Sequence, residues 1–219
     1  MKRLKVSSVL NIIIVLLTII ATIIMFTGFK FMHGSEPVLE STKLRVLRFF
    51  TVDSNIFMGM VSLAFLTQEQ KLLKGKVKDI SKKMYIFKLM ATTGVTVTFL
   101  TVFLYLGPIS DGGISSLLQN SNLFFHLIIP VLSIITFTIF EKTDKIKFKY
   151  ALFGIIPTLL YEIYYLINIL IHMEDGKVSP IYDWYWFVQN GVWTAIIVAP
   201  LMLVFTYIIS LILWKFNRK

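Results

Sequence analysis

Long apolar stretches alternate with short polar segments along the whole chain. Six of these stretches are about 20 residues or longer, which is enough to cross a bilayer as a helix. The predicted spans are Val9–Phe31, Val46–Leu66, Met84–Gly107, Ile114–Phe140, Tyr150–Met173 and Gln189–Trp214. Little sequence remains between the spans. The pattern therefore predicts an all-α, polytopic integral membrane protein with one transmembrane domain over residues 1–219.

Composition supports this class. Hydrophobic residues make up 56% of the 219 residues, whereas soluble domains lie nearer 45–50%. The chain has no cysteine, which excludes disulfides, a thiol nucleophile and a cysteine-ligated metal.

The positive charge is divided unequally between the two sides of the predicted bundle. Sixteen of the 22 Lys and Arg residues lie at the two chain ends and in the connections after spans two and four, and five lie on the opposite side. The positive-inside rule then predicts that both termini are cytoplasmic. The unequal division of Lys and Arg between the two sides accounts for the net charge of +10. We therefore expect the membrane as partner and no nucleic acid.

Several polar side chains fall inside the predicted spans. Such residues are costly in hydrocarbon and are candidates for function. In span two, Thr51 and Asn55 lie one helical turn apart on one face, with Asp53 between them. The alternative for Thr51 is a hydroxyl that bonds to a carbonyl of its own helix.

Span four carries the most regular polar pattern. The spacing of four, three and four residues predicts one polar stripe on a single helix, formed by Ser115, Gln119, Asn122 and His126. His126 is expected near mid-membrane. A histidine there can act as a base, a proton relay, a ligand or a hydrogen-bonding group between helices.

Span five has a polar and aromatic face. Its members are Tyr161, Tyr165, Asn168 and His172. Glu162 lies beside this face at mid-depth, where it ties helices together, orients His126 or carries a proton. After the span, the aromatic segment Trp184–Trp186 suits a membrane interface, so it lies on the surface or folds over the site.

Metal binding has little support in the sequence. A metal site formed by Asp53, His126, Glu162 and His172 is conceivable, but these residues lack local spacing of the H-E-x-x-H kind. We therefore expect neither a metal nor another cofactor.

Three short motifs resemble the androgen-induced-gene-1 family. They are Arg48-Phe49-Phe50-Thr51, Asn122-Leu123-Phe124-Phe125-His126 and Ser179-Pro180-Ile181-Tyr182-Asp183. Members of that family are six-span membrane proteins with both ends cytoplasmic. Its animal members hydrolyse fatty acid esters of hydroxy fatty acids with a threonine nucleophile and a histidine.

The resemblance assigns roles to individual residues. It implies that Thr51 is the nucleophile, that His126 is its partner and that Asn122 belongs to the same motif. Asp183 matches an acidic residue of the family. The chain departs from the animal pattern in Asp53-Ser54-Asn55 and in a Ser-Pro that replaces Tyr-Pro. It is closer to bacterial relatives, which implies a bacterial cell membrane.

The residue types are consistent with ester hydrolysis. A threonine hydroxyl becomes a nucleophile when a base takes its proton, and His126 is the expected base. Asn122 or Asn55 is expected to donate to the oxyanion or to orient the site, as is Glu162. A lipid ester is expected to enter from the bilayer into a pocket lined by Asp53, Tyr165, Asn168 and Asp183.

Two other functions remain open at this point. One is a non-enzymatic lipid-binding or proton-coupled membrane protein, which needs His126 and Glu162 but not Thr51. The other is an acyltransferase on the same scaffold, in which a second alcohol replaces water.

Overall fold

Six long helices build the part of the chain that the structure describes, as predicted. The computed structural model describes residues 1–32, 41–110, 112–188 and 191–219. The helices are α1 (Lys2–Thr27), α2 (Phe50–Leu73), α3 (Lys82–Ile109), α4 (Ser121–Phe140), α5 (Phe148–Ile171) and α6 (Val192–Asn217). All six are long and apolar enough to span a membrane. Within the described ranges the β-structure is one short antiparallel hairpin, β1 (Met173–Glu174) with β2 (Lys177–Val178).

Helix α3 lies at the centre of the bundle, where it contacts α2, α4, α5 and α6. It is rich in threonine, and four of these residues are buried, namely Thr92, Thr93, Thr96 and Thr98. The hydroxyls of Thr92, Thr93 and Thr96 donate to the carbonyl four residues earlier at 2.7–2.8 Å. Because each hydroxyl is satisfied within its own helix, a polar-looking sequence can occupy the core.

Small residues allow close helix contacts. A Cβ atom added at Gly154 on α5 would lie 2.1 Å from Ser210 Oγ on α6 and 3.0 Å from Thr93 Oγ1 on α3. Three helices therefore meet at a point where only glycine fits, as is common in membrane bundles.

Both chain ends lie at the same end of the bundle. The Arg3 guanidinium donates to the Ile139 carbonyl. The Asn217 amide donates to the carbonyls of Phe137 (2.6 Å) and Glu141 (2.9 Å). We call this end the terminal face and the opposite end the distal face. That the terminal face is cytoplasmic stays a prediction.

The helix bounds differ most from prediction in span four. Helix α4 begins at Ser121 rather than at Ile114, and residues Gly113–Ser116 form a separate turn. Asn120 has a positive φ of 52°, and its Oδ1 accepts from the backbone N–H groups of Phe31 (2.7 Å) and Met32 (2.8 Å). The chain bends at this contact, so the helix that the sequence predicted from Ile114 begins only after Asn120.

The predicted polar stripe is therefore wrong. Ser115 and Gln119 precede α4 and do not share a helix face with His126. Helix α6 begins at Val192, and the predicted start of span six, Gln189, lies outside the described residues.

Helix α4 is irregular around Pro130. Two π-helical turns, Phe124–Ile128 and Thr136–Phe140, flank the α-helical segment Ile129–Ile135. Proline has no N–H, so Pro130 cannot donate to the carbonyl of His126 four residues earlier. A widened turn accommodates this missing bond, and such turns are frequent at functional sites.

Candidate functional site

His126 lies near the distal end of α4. It is the sixth residue of a helix that starts at Ser121, which places it about 8 Å from the helix start at 1.5 Å per residue. The prediction of a mid-membrane position assumed a helix that begins at Ile114, whereas the helix begins at Ser121. The side chain is 8% exposed.

The structure fixes the tautomer of the His126 ring. Its Nδ1 lies 2.7 Å from the carbonyl oxygen of Leu117. A carbonyl oxygen can only accept, so Nδ1 carries the hydrogen, and in the neutral ring Nε2 holds the lone pair. Leu117 is in the turn before α4, so the bend at Asn120 also orients the histidine.

Asn55 connects α2 to the segment that carries His126. Its buried amide nitrogen donates to the carbonyl of Thr51 at 2.8 Å and to the carbonyl of Phe125 at 3.1 Å. Because main-chain carbonyls take both hydrogens, Asn55 has an orienting role here. Within the described ranges its Oδ1 is buried without a hydrogen-bond partner.

Thr51 differs from the buried threonines of α3. It is the second residue of α2 and half-buried, so no carbonyl of its own helix lies four residues earlier. In the part of the chain that the structure describes, its hydroxyl forms no hydrogen bond, so there is no direct bond from Thr51 to His126. The same holds for the Asn122 amide group, whose side chain is also half-buried.

Asp183 and Tyr165 fix a loop above the distal ends of the helices. We call Ser179–Val188 the distal loop. The fully buried Asp183 carboxylate accepts from the Tyr165 hydroxyl (2.5 Å) and from the backbone N–H groups of Phe187 (2.8 Å) and Val188 (3.1 Å). Asn168 donates to the Tyr182 carbonyl at 2.7 Å. These three residues hold the loop, and that they also line a pocket stays a prediction.

The distal loop closes over the start of α2. The backbone N–H of Phe50 donates to the Tyr185 hydroxyl at 3.2 Å. Trp184 Nε1 donates to the Tyr161 hydroxyl at 3.0 Å, and that hydroxyl donates to the Arg48 carbonyl at 2.6 Å. The loop therefore contacts Phe50, the residue directly before Thr51.

Tyr185 lies outside the six spans. Burial raises the pKa of its phenol to about 12, so the hydroxyl keeps its proton at neutral pH. It remains an acceptor for the first N–H of α2, which has no carbonyl partner within its own helix.

A cavity of about 260 Å³ lies between α2 and α5. Its lining residues are Phe50, Asp53, Ser54, Phe57, Pro157, Leu160, Tyr161 and Tyr164. Leu160 and Tyr164 are exposed on the outside of the bundle, so the cavity adjoins the lipid-facing surface. Asp53 is its acidic residue, while Thr51 and His126 do not line it.

Glu162 and His172 do not reach His126. Glu162 is 8% exposed, and its Oε1 is buried without a partner among the described side chains. His172 stacks on Tyr182 with ring centroids 3.6 Å apart. The expected orienting contact from Glu162 to His126 is not formed, since the only hydrogen bond of that ring in the described ranges is to Leu117. Among the residues that the structure describes, no three His, Asp or Glu side chains converge there either.

A second polar cluster lies near the terminal face and was not predicted. Lys88, Glu69 and Glu141 are almost fully buried and surround Asn11. In the sequence each charged residue lies near a span end, where such residues are usually solvated. The polar Asn11 inside span one and Lys88 inside span three were the available signals.

Comparison of the chain with protein-family models, curated proteins and solved structures finds no match. The resemblance to the androgen-induced-gene-1 family therefore stays a prediction. The chemistry of the site is inferred from its own side chains.

Proposed function

We propose that this protein is an intramembrane lipid-ester hydrolase in which Thr51 is the nucleophile and His126 is the base. The observation that carries the proposal is the bond from His126 Nδ1 to the Leu117 carbonyl. This bond leaves the basic nitrogen, Nε2, available for proton transfer, as histidine bases require.

Thr51 contributes a hydroxyl that is not engaged in its own helix. Its Oγ1 attacks the ester carbonyl carbon while His126 Nε2 takes the hydroxyl proton. The tetrahedral intermediate collapses to a threonyl ester, and the leaving alcohol takes the proton from His126. Water then attacks the threonyl ester with His126 again as base, which releases the fatty acid and restores Thr51.

Two asparagines support this chemistry in different ways. Asn55 bonds to the carbonyls of Thr51 and Phe125 and so holds the nucleophile and base segments together. The Asn122 amide forms no hydrogen bond to the described residues, and we assign to it the role of hydrogen-bond donor to the oxyanion. The hydroxyl and Nε2 approach in the substrate complex, since catalytic hydrogen bonds are often long without substrate.

The surroundings favour a lipid substrate. The cavity between α2 and α5 is mostly apolar and aromatic, and it adjoins the lipid-facing surface. An acyl chain enters it from the bilayer next to the turn that carries Thr51. Asp53 lines the cavity without lying on the reaction path.

The test is ester turnover by purified variants in liposomes. Thr51→Ala and His126→Ala each abolish turnover, and the double variant is little worse than either, because catalytic units are non-additive. Thr51→Ser keeps part of the activity. Thr67→Ala is the matched control, since Thr67 is exposed near the other end of α2, and it leaves turnover unchanged.

Other outcomes separate the alternatives. A serine-hydrolase probe that labels Thr51 supports the covalent step, and transfer of the acyl group to an added alcohol in place of water identifies an acyltransferase. Full turnover in Thr51→Ala would remove the threonine from the mechanism. It would favour the proton-coupled alternative, to which the unpartnered Glu162 carboxyl contributes.

A further inference from the structure

The buried cluster at the terminal face is built around a lysine. Lys88 is fully buried on α3. Its ammonium donates to Ser62 Oγ at 2.9 Å and to Asn11 Oδ1, and it lies 3.3 Å from Glu141 Oε1. Three acceptors match the three ammonium hydrogens. Lys88 is therefore satisfied as a cation, paired with Glu141.

A second carboxyl lies in the same cluster without a cation of its own. Glu69 is fully buried on α2, and its Oε2 accepts from Ser8 Oγ (3.2 Å) and Asn11 Nδ2 (3.3 Å). The same Asn11 nitrogen donates to Glu141 Oε1 at 2.8 Å. One amide group therefore contacts both carboxyls.

The charges in the cluster do not balance. Among the described residues, one ammonium faces two carboxyls, and the other side chains that contact these groups are neutral, namely Ser7, Ser8, Asn11 and Ser62. Tyr85 interacts electrostatically with both carboxyls and is a neutral phenol. Two carboxylates would leave one uncompensated negative charge in a buried site, which is costly.

Each of the two carboxyls also has one buried oxygen without a hydrogen-bond partner among the described residues. These oxygens are Glu69 Oε1 and Glu141 Oε2. Buried polar oxygens without partners are rare. A metal cation is disfavoured because the Lys88 ammonium already occupies the position between Asn11, Ser62 and Glu141.

We propose that Glu69 is a proton-binding site, and that it holds one proton while Lys88 and Glu141 form the ion pair. The site lies near the terminal face, because Glu69 is four residues from the end of α2 and Glu141 directly follows α4. It exchanges its proton with the solvent on that side. When Glu69 loses the proton, a second carboxylate competes with Glu141 for Lys88, so proton release rearranges the contacts among α1, α2, α3 and the end of α4.

The experiment is infrared spectroscopy of the purified full-length protein at neutral pH, in light and heavy water. The wild type shows the carbonyl band of a protonated carboxylic acid, and the difference from Glu69→Gln isolates the Glu69 contribution. Glu141→Gln removes the same contribution, because Lys88 then pairs with Glu69 as a carboxylate. The control is Glu174→Gln, an exposed carboxyl, which leaves the band unchanged.

Three results would overturn the proposal. The first is a band that Glu69→Gln leaves intact. The second is failure of Glu69→Gln to fold, since glutamine is the neutral isostere of the protonated acid and should unfold at or above the wild-type temperature. The third is an unfolding temperature that sodium chloride raises over choline chloride in the wild type but not in Glu69→Gln, which would identify a metal cation. None of these readouts depends on ester hydrolysis.

Discussion

Replacing Asp183 with asparagine tests how the distal loop is held. Asp183 receives three hydrogen bonds, two at Oδ1 from Tyr165 and Phe187 and one at Oδ2 from Val188. The asparagine has one oxygen and one NH₂ group. In either orientation of the amide, at least one backbone N–H faces another donor and loses its acceptor.

The size of the effect follows from this count. A hydrogen bond to a charged group contributes about 1.5–3 kcal/mol, and the two that remain lose the charge. We expect Asp183→Asn to lower the free energy of unfolding by about 2–4 kcal/mol. For a chain of 219 residues, this corresponds to a decrease of roughly 5–15 °C in unfolding temperature.

The assay combines thermal unfolding with tryptophan quenching. Trp184 belongs to the loop and is only 4% exposed, so loosening the loop should expose it to acrylamide below the unfolding temperature. Asp175→Asn is the control, because Asp175 is exposed in the neighbouring hairpin and has a positive φ of 48°, which asparagine tolerates. An unchanged unfolding temperature in Asp183→Asn would show that the loop does not depend on this carboxylate.

Two further predictions concern the loop and the topology. Burial raises the pKa of Tyr185 to about 12 in the folded protein, against an ordinary value of 10, so its contribution to stability is complete below pH 10 and is lost as pH rises to 12. Tyr185→Phe should therefore flatten the decrease of unfolding temperature between pH 10 and 12. An unchanged slope would contradict this prediction. Lys76→Cys, in a chain without native cysteine, should react with a membrane-impermeant maleimide only after cells are opened; labelling of intact cells would reverse the predicted topology.

The number of spans could be predicted because the mean hydropathy of a segment depends only on the residues within that segment. The start of α4 could not, because Asn120 ends the pattern through contacts with Phe31 and Met32, about 90 residues away in sequence. These contacts are tertiary, and the local sequence around Ser115 and Gln119 continues the helical pattern across them.

The candidate site was predictable in part for a related reason. His126 and Thr51 stood out as polar residues in apolar spans, but the partner of His126 is a main-chain carbonyl, which has no sequence signature. Lys88 lies on α3, Glu69 lies on α2, and Glu141 directly follows α4. Only their packing around Asn11 turns three ordinary span-end charges into one buried cluster.

The π-helical turn Phe124–Ile128 also has a genetic consequence. A π turn is equivalent to an α-helix with one extra residue inserted, and one residue corresponds to a rotation of about 100°. Deleting the codon for Leu127 would allow a regular helix with nearly the same hydropathy and length. It would also turn His126 away from Leu117 relative to the rest of α4. Loss of one codon would thus leave a helix that can still span the membrane but no longer orients the His126 imidazole toward Leu117.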